Sequence, residues 1–132
     1  NLPLIANGDI VTPEDVKAIM DLGCDGAMIG RGAISNPWIF DEAHHFLATG
    51  EHLEPPTYDE RIELCLQHLT ANIEKRGEGR GVTSFRKFYT HYLHGMRGSN
   101  AVRIGLMEHR EFAPIETALR DYIETLAQHA PV

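Results

Sequence analysis

Ile5-Ala6-Asn7-Gly8-Asp9 and, further along, Met28-Ile29-Gly30-Arg31-Gly32 decide how this chain is read. Each is a short apolar run that stops abruptly at glycine and polar residues. Pro3-Leu4-Ile5-Ala6 and Ala27-Met28-Ile29 predict two strands, and an unbroken apolar run is the pattern of a parallel strand covered on both faces. Between them the signals are helical. Thr12 suits an N-cap, Pro13 the first helical position, and Asp15 the favourable end of the helix dipole. Val16, Ile19 and Met20 form an inward stripe, and Gly23 is placed to end the helix in a left-handed conformation. The sum is a strand–helix–strand unit with both strand ends on one edge.

Such a pair of loops fits the last quarter of a (β/α)₈ (TIM) barrel, where the loops after strands 7 and 8 bind a cofactor phosphate. In the first loop Gly8 permits close approach or positive φ, Asn7 offers an amide, and Asp9 orients its neighbours. In the second, Gly30 and Gly32 expose backbone N–H groups and leave room beside Arg31, whose guanidinium can grip a phosphate with two hydrogen bonds. Ala33 to Asn36 predicts a short helical turn aimed at the same anion. A turn made only for its geometry is the competing reading of Asn7-Gly8-Asp9. A lone βαβ unit leaves both sheet edges open and one face bare. Residues 1–50 are therefore expected to be an α/β fragment, the last βαβ units of a TIM barrel. They are expected to be unstable alone or completed by self-association through the open strands. The Asn1 start reads as a chain beginning in mid-fold.

Asn36-Pro37 predicts a further helix with Ile39, Phe40, Ala43, Phe46 and Leu47 on its apolar side and Gly50 at its end. Residues 51–56, with Pro55-Pro56, read as a linker. From residue 57 the pattern is helical throughout. Thr57 and Glu60 form a capping box, and Ile62, Cys65, Leu66, Leu69 and Ile73 recur at helical spacing. Gly77, Gly79 and Gly81 predict a flexible loop. A helix over 84–94 follows, carrying Phe85, Phe88, Tyr89, Tyr92 and, just beyond it, Met96 on one side, with Gly95 and Gly98 marking its end. Ser99 is the expected cap of a short helix bearing Val102, Leu106 and Met107. Pro114 is expected to open the last helix, with Ile115, Leu119, Tyr122, Ile123 and Leu126 as its stripe. Residues 57–132 thus read as an all-α helical bundle domain.

The net charge of −7 argues against a polyanion partner, but its distribution does not. Residues 75–110 hold eight basic residues against Glu78 and Glu108, a local charge of +6 that leaves −13 elsewhere. Such asymmetry marks a candidate face for nucleic acid, with a merely solvated surface as the alternative. Arg86, Lys87, Thr90, His91 and His94 fall opposite the aromatic stripe, and Arg97 and Arg103 extend the strip. It could follow a phosphate backbone without reading sequence. Arg86, Lys87, Arg97 and Arg103 are the candidate RNA-binding residues. Cys24 and Cys65 have no metal-type spacing and read as small buried thiols, which fits a reducing, cytoplasmic setting. No apolar run approaches the ~18 residues of a membrane span. No metal cluster or catalytic triad is visible, so no catalytic residue is assigned.

Three stretches carry a family likeness: Pro3-Leu4-Ile5-Ala6-Asn7-Gly8-Asp9-Ile10, Asp25-Gly26-Ala27-Met28-Ile29-Gly30-Arg31-Gly32-Ala33 and Asn36-Pro37-Trp38-Ile39-Phe40. Phe85-Arg86-Lys87 to Tyr92-Leu93-His94-Gly95 adds a looser match. The chain resembles the C-terminal portion of bacterial tRNA-dihydrouridine synthases. The resemblance implies a barrel that binds FMN and reduces a uridine of tRNA to 5,6-dihydrouridine, with NADPH as reductant. It implies that Asn7, Gly8, Asp9, Gly30, Arg31 and Gly32 hold FMN, chiefly its phosphate end, and that the helical domain clamps tRNA. The family's catalytic cysteine belongs to earlier barrel strands and is carried onto neither Cys24 nor Cys65, so this stretch alone is expected to be inactive. Two other readings stay open: a flavin barrel acting on a small molecule, and a stand-alone RNA-binding helical module.

Overall fold

The computed structural model describes residues 1–130, which divide into two compact units, one over Asn1–Pro55 and one from Pro56 onward. It is mostly helical, with one small parallel sheet.

In the first unit β1 (Ile5–Asn7) pairs in parallel with β2 (Gly26–Met28), joined by helix α1 (Pro13–Asp21). The predicted cap is present: Thr12 accepts from the Asp15 N–H, and the Thr12 N–H in turn donates to the Asp15 carboxylate. Backbone N–H groups of Val11, then Thr12, also hold the Asp15 carboxyl below the usual carboxylate range. Gly23 takes φ +93 and closes the helix onto the Met20 carbonyl. Asp25 ties the strand starts together, accepting from the Leu4 N–H at 2.7 Å and donating its own N–H to the Leu4 carbonyl. Ile10, Val16 and Ala43 form the core, with Ile19, Met20, Ala27 and Ile29 packed against them. The expectation of strands covered on both faces is corrected. Ile5 and Met28 are each 57% exposed, because α1 covers only the Ala27 face, and Leu4, just before the strand, is 60% exposed.

Two short steps follow β2: α2 (Arg31–Ser35) and α3 (Ile39–Thr49). Asn36 accepts from the Trp38 N–H and donates to Glu42, so it sets an entry turn and the regular helix begins at Ile39. Ile39 and Ala43 are buried, whereas Phe40 and Leu47 point outward, contrary to the stripe expected of them. Gly50 caps α3 with φ +76. Within the stretch read as a linker, His52 folds back, with Nε2 2.5 Å from Glu14 Oε1 and its ring 5.0 Å from Phe46.

The second unit contains α4 (Tyr58–Arg76), α5 (Glu78–Phe85), a 3₁₀ turn (Arg86–Phe88), α6 (Tyr89–Tyr92), α7 (Ser99–Leu106) and α8 (Phe112–Gln128). The Thr57–Glu60 capping box is formed. The glycine-rich segment is not a loop. Gly77 turns the chain at φ +81 and α5 starts at once. A side chain on Gly81 would lie 2.6 Å from the Ile73 Cα, so this glycine lets α5 press against the α4 backbone. Asn72 adds bonds to the Gly81 carbonyl (2.7 Å) and Ser84 (2.9 Å). Packing of α5 on α4 thus outweighs a helix penalty of about 1 kcal/mol per glycine.

The single helix expected over 84–94 is divided by the 3₁₀ turn, where Arg86 reaches across to the His109 carbonyl. Gly98, at φ +74, takes the cap position expected of Ser99, which is the first residue of the helix. The last helix begins two residues before Pro114. Phe85, Tyr89, Tyr92 and Met96 are buried as their spacing predicted, while Phe88 is half-buried. His68 lies among them, 4.8 Å from Phe85 and 4.7 Å from Phe88 between ring centres, with Nδ1 3.0 Å from the Tyr92 hydroxyl. Burial lowers the His68 pKa and pushes the Tyr92 phenol up to about 12.

Two stability tests follow from this packing. Gly81→Ala should lower stability in urea denaturation by about 1–3 kcal/mol, as overpacking does. Gly79→Ala, whose new side chain meets nothing within 4 Å, should raise it by about 0.5–1 kcal/mol. Equal signs for the two would refute the close-packing role of Gly81. Because His68 binds a proton more weakly folded than unfolded, stability should be full above about pH 6.5 and decline as pH falls below it. His68→Gln should flatten that part of the stability–pH curve.

Candidate functional site

The register places Asn7 opposite Met28, so two parallel strands end level and release their loops on the same side. After β1 the backbone turns at Gly8 (φ +145) and Asp9 (φ +46). Asp9 is the one described non-glycine residue at positive φ. Asp tolerates this region better than most residues because its short polar side chain can bond locally. After β2, Gly30 leads directly into α2, with Arg31 as its first residue. Arg31 Nη2 donates to Asp9 Oδ1 at 3.1 Å, so the two loops meet through one ion pair. Both side chains are about nine-tenths exposed, and such a pair contributes little to stability.

The three glycines have different jobs. Side chains added at Gly8 or Gly30 would meet nothing within 4 Å, so both face open space. Gly32, expected to make room for an anion, is buried instead. A Cβ there would lie 2.4 Å from the Ile10 carbonyl oxygen and 3.3 Å from the Val11 Cα. Its bare backbone seats the second loop on the chain leaving the first.

In the helical unit the four candidate cations separate. Lys87 is exposed, with Nζ 5.1 Å from the centre of the Phe88 ring. Arg97 is exposed, and its carbonyl accepts from the Tyr122 hydroxyl at 2.8 Å. Arg103 is half-buried and meets Thr90 of the same strip at 2.9 Å. Arg86 turns inward. It donates to the His109 carbonyl at 3.3 Å, and its buried Nε has no hydrogen-bond partner among the described residues. Arg86 therefore joins the 3₁₀ turn to the segment between α7 and α8 rather than standing in an open strip. Sequence reading missed Asn100, which accepts from Arg103 at 2.8 Å. Its place three residues before Arg103 on one helix was the available signal.

No group of three or more potential metal ligands occurs among the described residues, and no described helix is long and apolar enough to cross a membrane. Cys65 is fully buried, and burial pushes its thiol up to about 12, far from reactive thiolate character.

The family model described as Dihydrouridine synthase (Dus) matches residues 1–127. The chain is 42% identical over 104 residues to tRNA-dihydrouridine synthase B of Pseudomonas putida, covering 78% of this chain and 31% of the relative. It is 43% identical over 94 residues to tRNA-dihydrouridine synthase B of Shewanella oneidensis (70% and 29%). It is 37% identical over 134 residues to the protein of that name from Pectobacterium carotovorum (96% and 40%). The chain thus spans 29% to 40% of the length of these curated relatives. Paired loops on one sheet edge, a helical unit with exposed cations, and this match along almost every residue lead to one conclusion: the chain belongs to the dihydrouridine synthase family.

Proposed function

We propose that this chain is the part of a tRNA-dihydrouridine synthase that carries the flavin-phosphate loops and the tRNA-facing helices. The first unit is then the end of a (β/α)₈ barrel. Ile5, Asn7, Gly26 and Met28 share one sheet face by register, and the exposure of Ile5 and Met28 there fits a surface that other barrel strands cover. The single observation that carries the reading is the meeting of the two glycine loops at Asp9 and Arg31.

The residues fit an FMN phosphate. Gly8 and Gly30 leave open space where side chains would stand, and Arg31 brings an exposed guanidinium to the same edge. Asn7, Gly8, Asp9, Gly30 and Arg31 would line the phosphate end, with Gly32 fixing the loop that presents them. When bound, FMN supplies the hydride that reduces a uracil double bond, with NADPH as the source of electrons. This chain's residues bind and orient. Arg31 neutralises the phosphate, Asp9 limits where the guanidinium points, and Lys87, Arg97 and Arg103 hold the RNA backbone by charge. Neither cysteine is cast as the acid that protonates the reduced ring, and Cys65 is excluded by its burial. Without the remaining barrel the stretch would not turn over.

Arg31→Ala in the complete protein should lower bound flavin per polypeptide, measured by absorbance, by about tenfold with tRNA affinity nearly unchanged. Lys87→Ala should do the reverse, weakening tRNA binding and reducing its salt slope by about one while flavin content holds. Exchanged outcomes would show the two sites to be wrongly assigned.

A further inference from the structure

Arg103 differs from the other arginines in what holds it. Arg120 lies between Glu116 and Glu63, and Arg31 lies against Asp9, so carboxylates offset both charges. Arg61 and Arg86 donate to the backbone carbonyls of His94 and His109, and Arg76 makes a single bond through Nε to Asn72 Oδ1 at 3.2 Å. Arg103 is gripped at both terminal nitrogens by neutral side-chain oxygens. Nη1 donates to Thr90 Oγ1 at 2.9 Å, and Nη2 donates to Asn100 Oδ1 at 2.8 Å. The acceptors come from different elements, α6 and α7, so the guanidinium plane is fixed relative to both. Neither acceptor removes charge. A guanidinium has five N–H donors, so three remain after these two bonds.

We propose that Thr90 and Asn100 are positioning residues that hold Arg103 as a preformed fork for one phosphodiester of the tRNA backbone. This rests on the reading of the helical unit as the tRNA-facing part. The chemistry selects the ligand. A planar, fully charged guanidinium with adjacent free donors matches the two non-bridging oxygens of a phosphodiester. Fixing the side chain beforehand removes the ordering cost that a free arginine meets on binding. An arginine with a fixed charge and no ion pair among the described residues also contributes its whole charge to counterion release.

The test uses the complete protein and an unmodified tRNA transcript, with affinity measured between about 50 and 200 mM salt and thermal unfolding recorded for each variant. Thr90→Val and Asn100→Ala should each weaken binding by about three- to tenfold with the salt slope unchanged, since no cation is lost. Thr90→Ser should restore affinity. Arg103→Ala should weaken binding at least as much and make the slope shallower by about one. Thr90→Val should have no further effect in the Arg103→Ala background. Wild-type affinity in Thr90→Val, or failure of Thr90→Ser to rescue, would overturn the positioning role. If Lys87→Ala weakens binding and Arg103→Ala does not, the fork is refuted while the tRNA reading stands. If none of Lys87, Arg97 and Arg103 affects tRNA binding, that reading falls and the fork with it.

Discussion

The geometry of the first unit depends on one backbone contact, the approach of the Ile10 carbonyl to Gly32. The space left for a side chain at Gly32 is 2.4 Å from that oxygen, so no other residue fits without moving a loop. Ile10 also buries its own side chain with Val16 and Ala43. One residue thus anchors the first loop to the core and, through its carbonyl, seats the second loop. The visible link between the loops, Asp9 with Arg31, is almost wholly exposed and cannot carry that load, because solvent-exposed ion pairs contribute at most about 1 kcal/mol. Packing holds the loops together, and the ion pair sets where one guanidinium points.

A comparable contact organises the helical unit. Gly81 lets α5 lie against the backbone at Ile73, and Asn72 fastens the pair with two hydrogen bonds. The aromatic residues that follow then fill the interior with His68 among their rings. Once the helices are placed, the acceptor in reach decides how several of the arginines are held. A backbone carbonyl takes Arg86, carboxylates take Arg120, and neutral side chains take Arg103. The count of positive charges in residues 75–110 is one quantity, and the set of cations free to meet a polyanion is another.

Interactions confined to a few neighbouring residues were legible without coordinates. The Thr12 cap, the Thr57–Glu60 box, the left-handed Gly23, the helix end at Gly50 and the inward stripe of Phe85, Tyr89 and Tyr92 each follow from spacing of about one or two helical turns. Readings that relied on local propensity against distant packing failed. Gly79 and Gly81 looked like a loop because glycine disfavours helices, yet α5 forms around them. Ser99 looked like a cap, yet Gly98 took that position with the positive φ it adopts easily. Phe40 and Leu47 looked inward-facing, yet the small first unit offers them nothing to cover.

By itself, then, the sequence determined the strand–helix–strand unit, the capped helices and the candidate anion loops, because caps, turns and hydrophobic periods are written in residues that touch their near neighbours. Tertiary structure decided that Gly32 seats rather than opens, that Arg86 turns inward, and that Thr90 of α6 meets Arg103 of α7. Those outcomes depend on atoms from separate elements meeting at a few ångströms, and no local pattern in the chain encodes such a meeting.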